Sequence, residues 1–338
     1  MERLKIAVIG NGAIAQIAHL PVWHSFEDVE VVALCDKNKN KMQWLAERFN
    51  IEHCFTDIAA LLKMEGIDAI DVCVPTAGHE DVVIAALSAG KHVLVEKPMA
   101  LNFAQAKNMV DTAKKYQRKL MVAMNVRFRQ DSVILNTFAK QGELGDIFYA
   151  KTGWLRRKQN LSINSLLQLK KSSGGGVFMD LGTQMLDVGL WLMGNPKAKT
   201  VKAALYSNLK QLPDEDSAAA FIHLENGATL TIEVSWTLLS ENDFFYTNLF
   251  GTKGSALLNP LRVHKELHGN LVNVTPTKSE SKENLYKKSY KNELRHFTDC
   301  LLKKIDMISS GEEQLQRMKI LDAVYQSAQS GKEITLKS

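Results

Sequence analysis

Cysteine is scarce: the 338 residues hold four, Cys35, Cys54, Cys73 and Cys300, far apart along the chain. Their spacing matches neither a zinc site nor a redox motif, so it predicts no metal and leaves reduced, mostly buried thiols. Long apolar runs are missing as well. Nothing approaches the ~18 residues of a membrane span, and a core-strand pattern starts at residue 4 where a signal peptide would lie, so the expected location is the cytoplasm, away from membranes. Excess charge of one sign is small, with 42 lysines and arginines against 37 acids leaving +5. No basic cluster is interleaved with stacking aromatics, which excludes nucleic acid as a partner yet suits an anionic small molecule. Internal repeats are absent. What remains, 45% hydrophobic and 23% charged residues, is ordinary globular composition, and the length exceeds what one core usually holds, so two domains are expected.

The first informative stretch is the N-terminus. Ile6-Ala7-Val8-Ile9 reads as a buried strand and runs at once into Gly10-Asn11-Gly12-Ala13-Ile14-Ala15, which opens a helical pattern through His19 and Leu20. In a dinucleotide-binding βαβ unit Gly10 permits the tight turn, Gly12 lets the backbone approach a pyrophosphate, and Ala15 lets the helix pack close to the strand. Free N–H groups and the helix dipole would then hold the phosphates. A glycine pattern alone is weak. Its partner is a second apolar run, Val31 to Cys35, ending on Asp36, where a carboxylate accepts hydrogen bonds from an adenosine ribose. Lys37, Lys39 and Lys41 follow. Curled toward the ribose, these lysines would hold the 2′-phosphate of NADP, which Asp36 repels; a lysine-rich first turn is more often simply solvated, so NAD is expected and NADP is the rival.

Short β/α alternation continues, with strands near residues 53–55, 69–74, 92–95 and 120–124 and helices from residues 57, 79 and 103. This specifies a parallel, doubly wound sheet. Ligands in such sheets bind outside the carboxyl edge. Pro75 and Thr76 follow one strand, and Glu96-Lys97-Pro98 follows another. Pro98 cannot extend the ladder, so the strand stops and Lys97 projects from the edge where a nicotinamide would lie.

This order of motifs resembles the Gfo/Idh/MocA family, named for glucose-fructose oxidoreductase, inositol dehydrogenase and rhizopine catabolism. The residues that carry the resemblance are Gly10-x-Gly12-x-x-Ala15, Asp36, Val72-Cys73-Val74-Pro75-Thr76 with His79, Ala89 to Pro98, Gly174-Gly175-Gly176 leading to Asp180, and the closing helix with Ala323, Tyr325 and Ser327. The resemblance implies an N-terminal Rossmann domain over 1–124. It implies a C-terminal α+β domain over 125–338 with a large, mostly antiparallel open sheet, whose final helices pack back on the first domain. It further implies an NAD(P)-dependent oxidoreductase of a sugar, cyclitol or related polyol, and a homodimer or homotetramer formed through the C-terminal sheet. Gly10, Asn11, Gly12, Ala13, Ile14, Ala15, Asp36, Lys37, Pro75, Thr76, His79, Glu96 and Lys97 are the cofactor-binding set it implies. Lys97 would contact both nicotinamide and substrate, with a cis peptide before Pro98.

In the second half Asn125, Arg127 and Phe128 match a family segment bordering the cleft. Arg127 has two open readings, a contact to a substrate oxygen or an ion pair with a carboxylate across the domain junction. Residues 151–171 carry six basic side chains, including Arg156, and no acid; the stretch reads either as a solvated loop or as a lid that draws in an anionic substrate. Asp180, Gln184 and Asp187 then fall at i, i+4 and i+7 of a helix, on one face, and three polar groups there favour a cleft over a core. The family usually has histidine where this chain has Gln184. Oxidising an alcohol moves a proton as well as a hydride, and an amide orients a hydroxyl but cannot take its proton. Lys97 is the first substitute, a water chain through Asp180 the second, and a cofactor-binding sensor without turnover the alternative function. Further on, Leu230, Ile232, Val234 and Trp236 alternate with polar residues, as in a strand with one buried face. Residues 275–291 read as a mobile, lysine-rich connection.

Overall fold

A computed structural model describes residues 3–158, 174–208, 214–277 and 281–336. The chain divides into two compact units, Met1–Asn125 with Lys287–Met318, and Val126–Tyr286 with Lys319–Ser338. Among the described residues no helix is long and apolar enough to cross a membrane.

The first unit is built on six strands, β1 (Leu4–Ile9), β2 (Val29–Cys35), β3 (His53–Phe55), β4 (Ala69–Val72), β5 (His92–Glu96) and β6 (Leu120–Ala123), in the order β3-β2-β1-β4-β5-β6. All neighbours run parallel. Strands buried on both faces need apolar side chains on both, and Ile6, Ala7, Val8 and Ile9 are at most 1% exposed. The order reverses between β1 and β4, and that switch point is where a doubly wound sheet opens a crevice beyond its carboxyl ends. Side-chain caps start the flanking helices: Asn38 accepts the Lys41 N–H at 3.0 Å, and Asn102 accepts the Gln105 N–H at 3.0 Å.

The second unit carries a nine-stranded sheet. Its strands are β7 (Ile147–Arg157), β8 (Ala198–Tyr206), β9 (Ser217–Leu224), β10 (Thr229–Leu238), β11 (Phe244–Gly251), β12 (Gly254–Leu258), β13 (Arg262–Leu267), β14 (Asn270–Asn273) and β15 (Ile334–Thr335). The order is β14-β13-β12-β11-β7-β10-β9-β8-β15, antiparallel except where β10 pairs β7. The expected alternation holds on β10, with Leu230, Ile232, Val234 and Trp236 at most 2% exposed. Across that buried face, against β7, β10 and β11, lies the helix Thr183–Leu192, every residue of which is buried.

One expectation is corrected. Residues 275–291 are not a continuous connection, because a helix runs over Lys282–Leu302. Leu285, Ser289, Glu293, Leu294 and Phe297 recur at helical spacing and are buried, while the intervening lysines at 287, 288 and 291 face solvent and mask the period.

Candidate active site

The nucleotide turn forms at the switch point of the first unit. Gly10 follows β1 with φ +92°, donates its N–H to the Cys35 carbonyl at 2.8 Å, and has no room for a side chain, since a Cβ there would lie 2.6 Å from the Cys73 carbonyl carbon. Gly12 is different. Its φ is not left-handed, and a Cβ would meet only the Cys73 oxygen at 4.0 Å, so the protein itself does not demand glycine there. A glycine without an internal reason fits a backbone kept bare for close approach of a phosphate. Ala13 and Ile14 open the helix beside it and remain accessible, whereas Ala15 is 0% exposed and packs as expected. Asn11 is fully buried, and among the described residues neither atom of its carboxamide meets a partner, which leaves a donor and an acceptor for water or ligand at this turn.

Asp36 stands at the end of β2 and joins the same turn. Its carboxylate accepts the Asn11 N–H at 2.7 Å and the Asn38 N–H at 2.8 Å, and Lys41 Nζ lies 3.2 Å away. Burial works against its charge, but the two N–H donors and Lys41 prevail and hold the carboxyl below its ordinary range. An ionised, partly solvated carboxylate at this place accepts ribose hydroxyls, so these residues fit NAD. Lys37, by contrast, is exposed in the bend that follows.

After β4, Pro75 is exposed and Thr76 is 1% exposed at the start of a short helical turn. His79 is 1% exposed; Nε2 lies 2.9 Å from the Val74 oxygen and Nδ1 3.0 Å from the Pro98 oxygen, so the ring bolts the end of β4 to the end of β5. Burial lowers its affinity for a proton. The Lys97-Pro98 peptide is cis, as the resemblance implies. Lys97 is half-buried, and its backbone N–H donates to Glu96 Oε2 at 3.0 Å. Glu96 Oε1 in turn lies 3.1 Å from His19 Nε2. Asn125 closes the unit with its side-chain amide donating to Ser289 Oγ at 3.0 Å.

In the second unit a π turn over Phe178–Gly182, closed by the Thr183 N–H on the Phe178 carbonyl, leads into the buried helix. The extra residue per turn alters the phase that even helical spacing assumes for Asp180, Gln184 and Asp187. Asp180 is half-buried and accepts the Trp236 indole N–H at 3.2 Å. Gln184 is 5% exposed. Asp187 is 1% exposed and pairs with Arg127: Nε lies 2.6 Å from Oδ2, Nη2 bonds Oδ1, and the guanidinium sits 5.6 Å from the Trp191 ring centroid. The carboxylate paired with Arg127 thus lies in its own unit and not across the domain junction as expected, and Asp187 is no surface carboxylate. Glu215, which sequence reasoning missed, holds the start of this helix by accepting the Phe178 N–H at 3.1 Å and the Tyr325 hydroxyl at 2.8 Å. Burial raises its carboxyl above the ordinary range.

Of the basic stretch, residues 159–171 lie outside the described residues, Lys170 and Lys171 among them. Arg156 is half-buried near the end of β7. Lys151 is neutralised by Glu233 at 2.9 Å, an acid that comes from the neighbouring strand β10 and not from the stretch itself. Asp71 and Glu293 were missed as well, and His19 was read only as part of a helical pattern. A charged residue inside the apolar strand Ala69-Ile70-Asp71-Val72 was the available signal.

A nucleotide turn at the switch point of a six-stranded parallel sheet, in a chain that also carries an open, mostly antiparallel sheet, defines a class of two-unit oxidoreductases. The chain belongs to the Gfo/Idh/MocA oxidoreductase family: residues 4–124 match its NAD-binding Rossmann fold and residues 139–336 its C-terminal alpha/beta domain. It is therefore an NAD-binding oxidoreductase. It is similar to the D-glucoside 3-dehydrogenase of Escherichia coli, 29% identical over 98% of this chain and 97% of that protein. It is also similar to the D-apiose dehydrogenase of Paraburkholderia graminis, 26% identical over 100% and 91%. The same fold is found in an oxidoreductase from Agrobacterium radiobacter solved with NAD+, L-tartaric acid and magnesium, with a TM-score of 0.87 and 23% identity over 98% of each chain.

Proposed function

We propose that the protein is an NAD-dependent dehydrogenase that interconverts a secondary hydroxyl and a ketone on a sugar, cyclitol or related polyol. The observation that carries this reading is the pairing of a bare Gly12 backbone with an ionised Asp36 at the strand switch, in the same sheet whose fifth strand is followed at once by Lys97. The oxidised nicotinamide, when bound, supplies the acceptor for the hydride. The rest falls to the chain. Gly12, Ala13 and Ile14 present backbone to the pyrophosphate, Asp36 holds the ribose, and a neutral Lys97 amine takes the proton that leaves the substrate hydroxyl. Gln184 and Asp180 are the polar side chains that the second unit contributes to substrate binding, and Gln184 is no base, because an amide neither takes nor releases a proton near neutral pH. Self-association through the outer face of the nine-stranded sheet belongs to the same reading. Phe148, Phe221 and Phe244 expose large apolar side chains on that sheet, and covering them removes apolar surface from water.

The test is absorbance at 340 nm with NAD and a panel of D-glucosides, D-apiose and myo-inositol. At least one member is expected to reduce NAD and to give a ketose or keto-cyclitol product. Tight NADH binding with no oxidation or reduction of any panel member or its keto form overturns the reading.

A further inference from the structure

The nucleotide turn and Lys97 are joined inside the first unit by a buried histidine. His19 lies in the helix that follows the turn, within a π turn over Ala15–His19, and is 0% exposed. Its Nδ1 is 2.8 Å from Asp71 Oδ2 and its Nε2 3.1 Å from Glu96 Oε1. The Trp23 indole N–H reaches the same Asp71 oxygen at 2.7 Å. An indole nitrogen only donates, so Asp71 Oδ2 is an acceptor and His19 Nδ1 a donor; at Glu96 the Lys97 N–H donates to Oε2, and Oε1 faces His19 Nε2. With Glu96 ionised, Nε2 donates as well, and a ring that donates from both nitrogens to carboxylates is an imidazolium. Cys73 Sγ lies 3.5 Å from Nδ1, and the Tyr290 ring sits 6.1 Å from the imidazole, from the helix on the far side of the cluster. Glu293, from that same helix, is 0% exposed and adds a third carboxyl. An Asp71 oxygen already bonded by two N–H groups describes a proton-bonded cluster and not a set of metal ligands.

We propose that His19 is a positioning residue of the hydride-transfer site, a buried cation that ties the helix of the nucleotide turn to Glu96 and thereby fixes the backbone on which Lys97 stands. The inference rests on the dehydrogenase reading above. Burial alone would discharge the ring, but Asp71 and its hydrogen bond overcome burial and keep the proton on. Without the cation, buried Asp71 and Glu96 have lost their shared donor, and one of them must take up a proton. A protonated Glu96 no longer offers Lys97 an anionic acceptor.

The test is His19→Gln, assayed with NAD and whichever panel sugar the wild type oxidises, with NADH binding followed by its fluorescence. The expected kcat is about a hundredfold lower, the loss a misplacement of about 1 Å brings. The NADH Kd and the sugar KM stay within threefold by about the scatter of such comparisons. The variant's kcat profile gains an ascending limb additional to any the wild type shows, as rising pH removes the proton that the carboxylate pair has taken up. Glu293→Gln, which leaves the bonds of His19 intact, leaves kcat unchanged. A wild-type kcat and pH profile in His19→Gln overturns the proposal, as does a parallel loss of NADH binding. If the variant does not fold, 15N-histidine NMR of the wild type decides: one histidine is expected to keep both ring nitrogens protonated at pH 8, and the absence of such a signal overturns the proposal. A wild type inactive on every sugar, yet showing that imidazolium and binding NADH, counts against the dehydrogenase reading alone.

Discussion

Replacing Glu293 by glutamine should stabilise the protein, and the gain should grow with pH. Among the described residues neither oxygen of this fully buried carboxyl has a hydrogen bond of good geometry, the Met124 backbone N–H making only a weak approach. Burial, reinforced by the Glu96 carboxylate and opposed by His19, lifts it well above the ordinary 4.5. The sign follows from proton counts. Above pH 4.5 the unfolded chain releases this proton while the folded chain keeps it, so the folded state binds more protons and wild-type stability falls as pH rises. The slope is about 1.4 kcal/mol per pH unit for as long as the folded group stays protonated. Glutamine has nearly the same shape and no proton to keep. The difference in unfolding free energy between Glu293→Gln and wild type should therefore be near zero at pH 4.5 and rise by about 1.4 kcal/mol for each unit above it, levelling off at the folded pKa. Urea unfolding followed by tryptophan fluorescence at half-unit steps from pH 4.5 to 8 reads this directly, since every group that titrates alike in both proteins cancels in the subtraction. A difference that stays flat across the range would refute the reasoning, for it would mean that Glu293 is ionised in the fold.

The two glycines of the nucleotide turn should separate by assay. Gly10→Ala forces a side chain into a left-handed position against the Cys73 backbone and should cost about 1–3 kcal/mol in strain alone, seen as a lower urea midpoint. Gly12→Ala meets no protein atom closer than 4.0 Å, so its stability should change by no more than about 0.5 kcal/mol while NADH binds at least about tenfold more weakly. Asp187→Ala leaves Arg127 charged and buried and should destabilise the protein by about 3–5 kcal/mol; a loss confined to substrate KM would instead mark the pair as a substrate site. Gln184→His supplies a proton acceptor and should raise kcat and add an acidic limb near the imidazole pKa of about 6.5, whereas unchanged kinetics would remove Gln184 from the proton path.

The parallel sheet and its cofactor turn were legible because both obey short-range rules. Apolar runs of strand length alternate with helices, and Gly10 sits where only glycine fits. Only the first half of the helix over Lys282–Leu302, up to residue 291, was not legible, since its solvent face is so rich in lysine that composition hides the spacing of Leu285 and Ser289. The ion pair of Arg127 with Asp187 joins residues 60 apart, and the cluster of His19, Asp71, Glu96 and Glu293 joins four separate elements. Pairings of that kind are made by the sheet and the packing around it, and no local pattern announces them. The spacing of Asp180, Gln184 and Asp187 was visible, but the π turn that holds Asp180 and precedes the other two was not.

A wider turn also opens each of two key helices, Ala15–His19 in one unit and Phe178–Gly182 in the other. Such a turn holds one residue more than the regular coil would, and it tolerates no loss of length: deleting a single position within it would restore regular winding and swing everything upstream by about 100°. These two short windows should therefore resist gaps in a deletion scan far more sternly than the exposed loops do, and chimeras spliced through them should fail unless the supernumerary residue is carried across.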